Sequence, residues 1–234
     1  MTRSNTTLPA SDVDDEARGL FPRDDAAGLW TQRGSRHSLA AQADDGEAAM
    51  AETATMTRDF GWQAAAFELE GIDGKRHRLA DLRGPKGTLV MFICNHCPYV
   101  KAVIGRIVRD ADALKAHGVS AVAISANDVV HYPEDSFDNM KRFAAAHHFG
   151  FPYLYDESQE VARAYDAACT PDFFGFNADL KLQYRGRLDA SGREPASADV
   201  RRELFEAMKE IAATGKGPRQ QTPSIGCSIK WKAA

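Results

Sequence analysis

The sequence predicts an α/β fold: a mixed central sheet with helices on both faces and an N-terminal β-hairpin extension. Three observations predict it. The runs "TLVMFI" (88–93) and "VSAVAIS" (119–125) are continuously apolar and short, the mark of strands buried on both sides. Segments of helical period follow them. The order ends on an antiparallel hairpin, which a purely parallel sheet would lack.

Each element has its own signal. "FELEGIDGKRHRLADL" (67–82) alternates, turns at Asp73-Gly74 and alternates again, which predicts the N-terminal hairpin. After the 88–93 strand, Val100, Val103, Ile104, Ile107, Val108, Ala111 and Leu114 recur at helical spacing, and Gly118 stops that helix. Strand 119–125 comes next. Helix 134–148 shows Phe137, Met140 and Ala144 on one face. A short strand (151–156), a short helix (158–167) and a hairpin turning at Ala178-Asp179 follow. The last helix, 198–215, carries Val200, Leu204, Ala207, Met208 and Ile211 on one side. Alternating strands and helices place a site where a buried strand ends and a helix begins.

The flanks read differently. Residues 1–56 are rich in Ala, Asp, Ser, Thr and Arg, with few large apolar residues, so they are expected to be disordered or loosely attached. Met50 and Met56 offer alternative translation starts. The domain is expected over 57–217, and 218–234 as a Gly/Pro/Gln tail. Apolar content of 44%, charged content of 26% and a net charge of −4 are ordinary, giving no reason to expect nucleic acid or an anionic membrane as partner. No apolar run approaches the roughly 18 residues of a membrane span, and no apolar signal-peptide core is visible. The expectation is a cytoplasmic protein, whose thiols are kept reduced.

Four cysteines in so long a chain are reactive, metal-binding or buried rather than a disulfide scaffold. Cys94 and Cys97 stand two apart, at the strand-to-helix junction, in "FICNHCPYV" (92–100). Backbone N–H groups at a helix N-terminus stabilise an anion, so Cys94 is expected to have a lowered pKa. His96 adds positive charge or a donor. Stabilising the thiolate makes the disulfide more oxidising, by about 30 mV per 1.4 kcal/mol. Cys94 would attack a partner disulfide and Cys97 would resolve the mixed species. The competing readings are an inert buried pair and a metal site. A closed zinc site takes four ligands, and Cys169 and Cys227 have no matching spacing. His117, His131, His147 and His148 are scattered. A c-type haem needs His directly after the second cysteine, where Pro98 stands. No metal or cofactor is expected.

"CNHC", "CTPDFFGFNADLKLQYRGRL" (169–188) and the stretch from Ser125 to Phe174 together resemble the thioredoxin-fold superfamily, in its peroxiredoxin-like branch grouped with alkyl hydroperoxide reductase C and the thiol-specific antioxidants. The resemblance covers about residues 60–232. It implies a thioredoxin-like fold, Cys94 and Cys97 as the catalytic pair, and Asn95 and His96 in support. Pro171 is then the implied cis-proline, and Thr170 the residue whose backbone pairs with a bound substrate. The departures are instructive. Cys94 stands where peroxiredoxins carry threonine, Cys97 where they carry the peroxidatic cysteine, and Val90 in place of their proline. Ile93 and Thr88 replace the tryptophan and buried aspartate of thioredoxins, so no proton acceptor for Cys97 is evident.

Three functions are carried forward: a thiol–disulfide oxidoreductase, a thiol-dependent peroxidase, and a metal- or copper-binding module. The first two imply a protein or small-molecule disulfide or thiol partner and an electron donor such as a thioredoxin or glutathione system. Cys169 and Cys227 are possible further redox cysteines, against the alternative of a packed Cys169 and an idle Cys227. Asn127 and Asp128 end a central strand and either line the pocket or form an ordinary turn.

Overall fold

The computed structural model describes residues 52–54 and 59–233 of the 234-residue chain. Its strands are β1 (Glu52–Ala54), β2 (Glu68–Gly71), β3 (Arg76–Arg78), β4 (Gly87–Phe92), β5 (Val119–Ser125), β6 (Tyr153–Tyr155), β7 (Cys169–Thr170), β8 (Asp172–Asn177), β9 (Leu182–Tyr184) and β10 (Ile225–Ser228). The helices are α1 (Leu79–Leu82), α2 (Pro98–Lys115), α3 (Phe137–Ala146), α4 (Glu160–Tyr165) and α5 (Glu203–Thr214), with a 3₁₀ turn at Pro133–Asp135.

Seven strands form the main sheet in the order β3-β2-β6-β5-β4-β8-β9. The β4–β5 and β5–β6 pairs are parallel, and the remaining pairs are antiparallel. This is the mixed sheet that the alternating pattern predicts. Because side chains alternate across a strand, β4 feeds two cores. Leu89, Met91 and the following Ile93 meet α2, α3 and α5. Val90 and Phe92 meet α1 and α4 on the opposite face, among Tyr165, Phe174 and Phe176. Each such large side chain contributes about 1.5–3 kcal/mol through burial. Every residue of β4 is buried, so the run has no exposed positions to mark its period.

Most of the predicted helical stripe of α2 packs as expected: Val100, Val103, Ile104, Ile107, Ala111 and Leu114 are buried, and Val108 is partly buried against the same core. Gly118 closes the connection to β5 at φ +76°, a left-handed conformation that costs glycine little.

Two expectations about the flanks need correction. The expected disorder of 1–56 does not hold at Glu52–Ala54, which pairs antiparallel with β10; the rest of that segment, with Met50 and Met56, lies outside the described residues. The expected tail, 218–234, contains β10, which also pairs with β7. These three strands form a second small sheet in the order β1-β10-β7. The physical reason is the same at both ends. A composition argument counts the apolar surface a segment brings, but a short strand added to an existing edge is held by backbone hydrogen bonds supplied by its neighbour. Among the described residues, no helix is long and apolar enough to cross a membrane.

Candidate active site

The site forms where β4 hands over to α2. The Ile93 N–H donates to the Ile124 carbonyl at 3.0 Å, so the sheet ladder runs one residue past β4 and stops at Cys94. Cys97 is the N-cap of α2, and Pro98 takes the first turn, where a missing N–H costs nothing. Opposite lies the Thr170–Pro171 peptide, which is cis. The Cys94 sulfur and the Thr170 hydroxyl are 3.3 Å apart. The Cys97 thiol lies 3.1 Å from the Thr170 carbonyl oxygen and 3.0 Å from the Cys227 sulfur. The structure therefore brings Cys94, Cys97, Thr170 and Pro171 together, and adds Cys227 from β10.

Asp135 builds the loop between the two cysteines. Its carboxylate is wholly buried and accepts from the Asn95 N–H at 2.8 Å, the His96 N–H at 3.2 Å, His96 Nδ1 at 2.6 Å and Asn127 Nδ2 at 2.7 Å. Hydrogen bonds to an ionised acceptor are the strong ones, so this one side chain fixes the Cys-x-x-Cys backbone. Asn95 is held further by Tyr153 Oη, which donates to its Oδ1 at 3.1 Å. The His96 ring stacks on Tyr132 with centroids 5.7 Å apart. Its pKa is raised, first by the bond to Asp135. Asn127 belongs to the site rather than to an ordinary turn, since its Oδ1 also accepts the Lys230 N–H at 2.9 Å. Asp128 instead forms the turn, bonding Val130 N–H and His131.

The expected order of acidity is inverted. Cys94 was expected to head the helix with a lowered pKa; it sits before the helix, and burial raises its thiol well above the ordinary value. Cys97 caps the helix, and its thiol is pulled far down. The largest cause is the hydrogen bond from Cys227, followed by that from Cys94; Thr170 and the Val100 N–H of the helix add to it. Cys97 is therefore the more acidic thiol of the two. Thr88, in the place of the thioredoxin aspartate, is occupied elsewhere, its hydroxyl accepting from Gly84 N–H at 3.1 Å.

Cys169 is packed. Its sulfur lies 3.5 Å from the Pro171 carbonyl oxygen, and burial pushes its thiol up. Below it, Asp172 Oδ2 accepts from Arg185 Nη2 at 3.0 Å, and the same nitrogen donates to the Asp166 carbonyl at 2.7 Å. This buried pair ties down both ends of the Thr170–Pro171 loop. A cavity of about 160 Å³, lined by Tyr99, Val103, Pro171, Phe173, Leu188 and Ile225, opens beside the loop.

One sulfur, one nitrogen and one oxygen from Cys94, His96 and Asp135 lie within 4.8 Å of one another. As a metal set they fall one short of a closed zinc site, and His96 and Asp135 are already bonded to each other. The geometry is better explained as a hydrogen-bonded loop.

Known proteins resemble this chain in sequence and in fold. The AhpC/TSA family pattern matches residues 60–185, more than half of the 234 residues. Thiol-disulfide oxidoreductase ResA of Bacillus subtilis (strain 168) is 29% identical over 122 residues, which are 52% of this chain and 64% of that protein. The chain thus spans less than two thirds of the length of that curated relative. An uncharacterized conserved protein from Geobacillus kaustophilus is 48% identical, with a TM-score of 0.74 over 80% of this chain and 99% of its own. A thiol:disulfide interchange protein of the thioredoxin family from Chlorobium tepidum TLS, 20% identical, shares the fold, with a TM-score of 0.51 over 67% and 99% of the two chains. The matched pattern contains Cys94, Cys97, Asp135 and the Thr170–Pro171 loop, and on a thioredoxin-like fold the chain belongs to the AhpC/TSA family.

Proposed function

We propose that the protein is a thiol–disulfide oxidoreductase working through Cys94 and Cys97. One observation carries this reading: the Cys97 sulfur sits at a helix N-terminus, and it and the Cys94 sulfur both touch Thr170, beside the cis-proline. The Cys97 thiolate attacks one sulfur of a partner disulfide, a mixed disulfide forms, and the partner's other sulfur leaves as a thiolate. A second thiol of the site then attacks Cys97, and the partner departs fully reduced while the protein holds a disulfide. The thiolate fraction sets the rate of the first step. The cavity beside Pro171 suits an apolar side chain of a protein partner. A thiol donor that supplies two electrons, a dithiol such as thioredoxin or two molecules of glutathione, closes the cycle.

A second reading, reduction of hydroperoxides, is favoured by the lowered pKa of Cys97, which stands at the peroxidatic position of the peroxiredoxin resemblance. It asks for donors aimed at the leaving oxygen. Among the described residues, the hydrogen bonds of the Cys94 and Cys97 sulfurs go to Thr170, to Cys227 and to each other, and no guanidinium joins them. Attack on a disulfide needs no such group. The deciding experiment sets insulin reduction, driven by dithiothreitol, beside stopped-flow hydrogen peroxide kinetics on the same sample. Disulfide turnover with slow peroxide reaction is expected. Rapid, saturable peroxide consumption without disulfide turnover would replace the first reading by the second.

A further inference from the structure

The pair is in fact a trio. Cys227 lies outside the 60–185 family pattern, yet its sulfur is 3.0 Å from that of Cys97. Its strand places it there: β10 runs antiparallel to β7 with Cys227 opposite Thr170 and Ser228 opposite Cys169. Gly226 lets the strand come that close, since a Cβ there would overlap the Thr170 carbonyl. Further down the chain, Lys230 anchors the segment, with its N–H on Asn127 and its carbonyl accepting from Asp128 N–H. The helix serves both sulfurs, as the Val100 N–H faces Cys97 and the Tyr99 N–H faces Cys227.

We propose that Cys227 is a third redox cysteine that forms a disulfide with Cys97, making Cys97 the sulfur common to two alternative bonds. The inference rests on the disulfide-exchange reading for its oxidant, a partner disulfide. A covalent sulfur–sulfur bond is about 2.0 Å long, so closure needs a displacement of about 1 Å from the distance observed. Two routes lead to it. After Cys97 has attacked a partner, Cys227 attacks the Cys97 sulfur of the mixed disulfide and expels the partner thiolate. Alternatively, the Cys227 thiolate attacks Cys97 within a Cys94–Cys97 disulfide. The new bond forms as the old one breaks, the electron pair leaves on the Cys94 sulfur, and the proton lost by Cys227 is taken up there. The second route involves no net oxidation. Cys94–Cys97 leaves β10 free to separate from Thr170; Cys97–Cys227 fastens it over the position a partner backbone would take.

Oxidised glutathione serves as the probe, with an acid quench, alkylation and tryptic peptide mapping. Cys94 and Cys97 share the peptide 87–101, Cys227 lies in 220–230 and Cys169 in 164–181, so the three cysteine regions separate. The Cys94→Ser variant is expected to lose two thiols, to link 87–101 to 220–230, and to retain little glutathione. The Cys94→Ser, Cys227→Ser double variant is expected to keep the glutathione adduct on Cys97. In partly oxidised wild-type protein, a fraction should carry the same cross-linked peptides. A stable glutathione adduct on Cys97 of Cys94→Ser with Cys227 free, together with no 87–101 to 220–230 link in the wild type, overturns the inference. If wild-type protein fails to reduce insulin but Cys94→Ser forms the link, the trio stands and only the exchange reading falls.

Discussion

At the scale of the residue, the site depends most on a side chain that carries no sulfur. Asp135 accepts four N–H donors, two of them from the backbone between the cysteines. Asp135→Asn keeps the shape but removes the charge and turns an NH₂ towards one of those donors. Leaving buried donors short of an acceptor costs about 2–4 kcal/mol, which for a domain of this size lowers Tm by about 5–10 °C. Thermal unfolding of the reduced protein checks this, and an unchanged Tm would show that water takes over the role. The ion pair with His96 adds a pH signature. The folded His96 pKa is raised, so its contribution is complete below the ordinary histidine value of about 6.5 and is lost as pH rises through the folded value. The Tm gap between wild type and His96→Gln is therefore expected to be widest near pH 5–6 and to narrow towards pH 9; a gap constant across that range would mean that the histidine is not charged in the pair. Asp135 escaped the sequence reading because nothing local separates it from Glu134. Its partners in the cysteine loop, Asn95 and His96, stand 40 and 39 positions away, and no periodicity reports a contact at that distance. His96 was legible because it lies inside the Cys-x-x-Cys spacing, whereas Thr170 and Pro171 came from the family resemblance and not from any local pattern.

At the scale of the element, legibility follows burial and length. Strand β5 was readable over its full span, Val119–Ser125, because an apolar run bounded by turns admits few other readings. Strand β10 was not, although Ile225, Cys227 and Ile229 alternate with Gly226, Ser228 and Lys230. Four residues after a Pro-rich stretch give a weak period, and Ile225 is itself exposed. The functional weight of β10 lies in what it covers. Cys94, Cys97 and Cys227 are 1%, 0% and 2% exposed, so a partner reaches them only after something moves. Gly226→Ala tests whether that element is β10. Its Cβ would collide with the Thr170 carbonyl, and overpacking of this kind costs about 1–3 kcal/mol. The open form would then be populated about ten- to a hundredfold more. Iodoacetamide labelling of Cys97 in the reduced protein is expected to accelerate by that factor, with no change in which sulfur reacts. Labelling at the wild-type rate would show that access comes from elsewhere, such as the cavity beside Pro171.

At the scale of the whole molecule, two regions of different stability are built into one fold. The two cores on either face of the main sheet hold almost all of the large buried side chains, and among the described residues the earliest member is Ala64. The small sheet β1-β10-β7 is thin by comparison: β1 meets β10 through three residue pairs, and β10 meets β7 through two. Local opening draws on the regions with few buried apolar contacts and short ladders, so the small sheet opens long before the cores do. A chain beginning at Met56 separates the two. It lacks Glu52–Ala54 and with it the outer partner of β10, while both cores stay whole. Its Tm is expected to fall by no more than a few degrees, since the cooperative unit is unchanged. Labelling of Cys97 is expected to rise severalfold, because β10 becomes an edge strand that keeps its pairing with β7 and its flanking bonds at Ser224, Ile229 and Lys230. Insulin reduction should rise with it if opening limits exchange. A large drop in Tm would show that the N-terminal segment belongs to the main cooperative unit. A small drop with unchanged labelling would show that β1 does not restrain β10, and would leave the Thr170 pairing as the barrier a partner has to break.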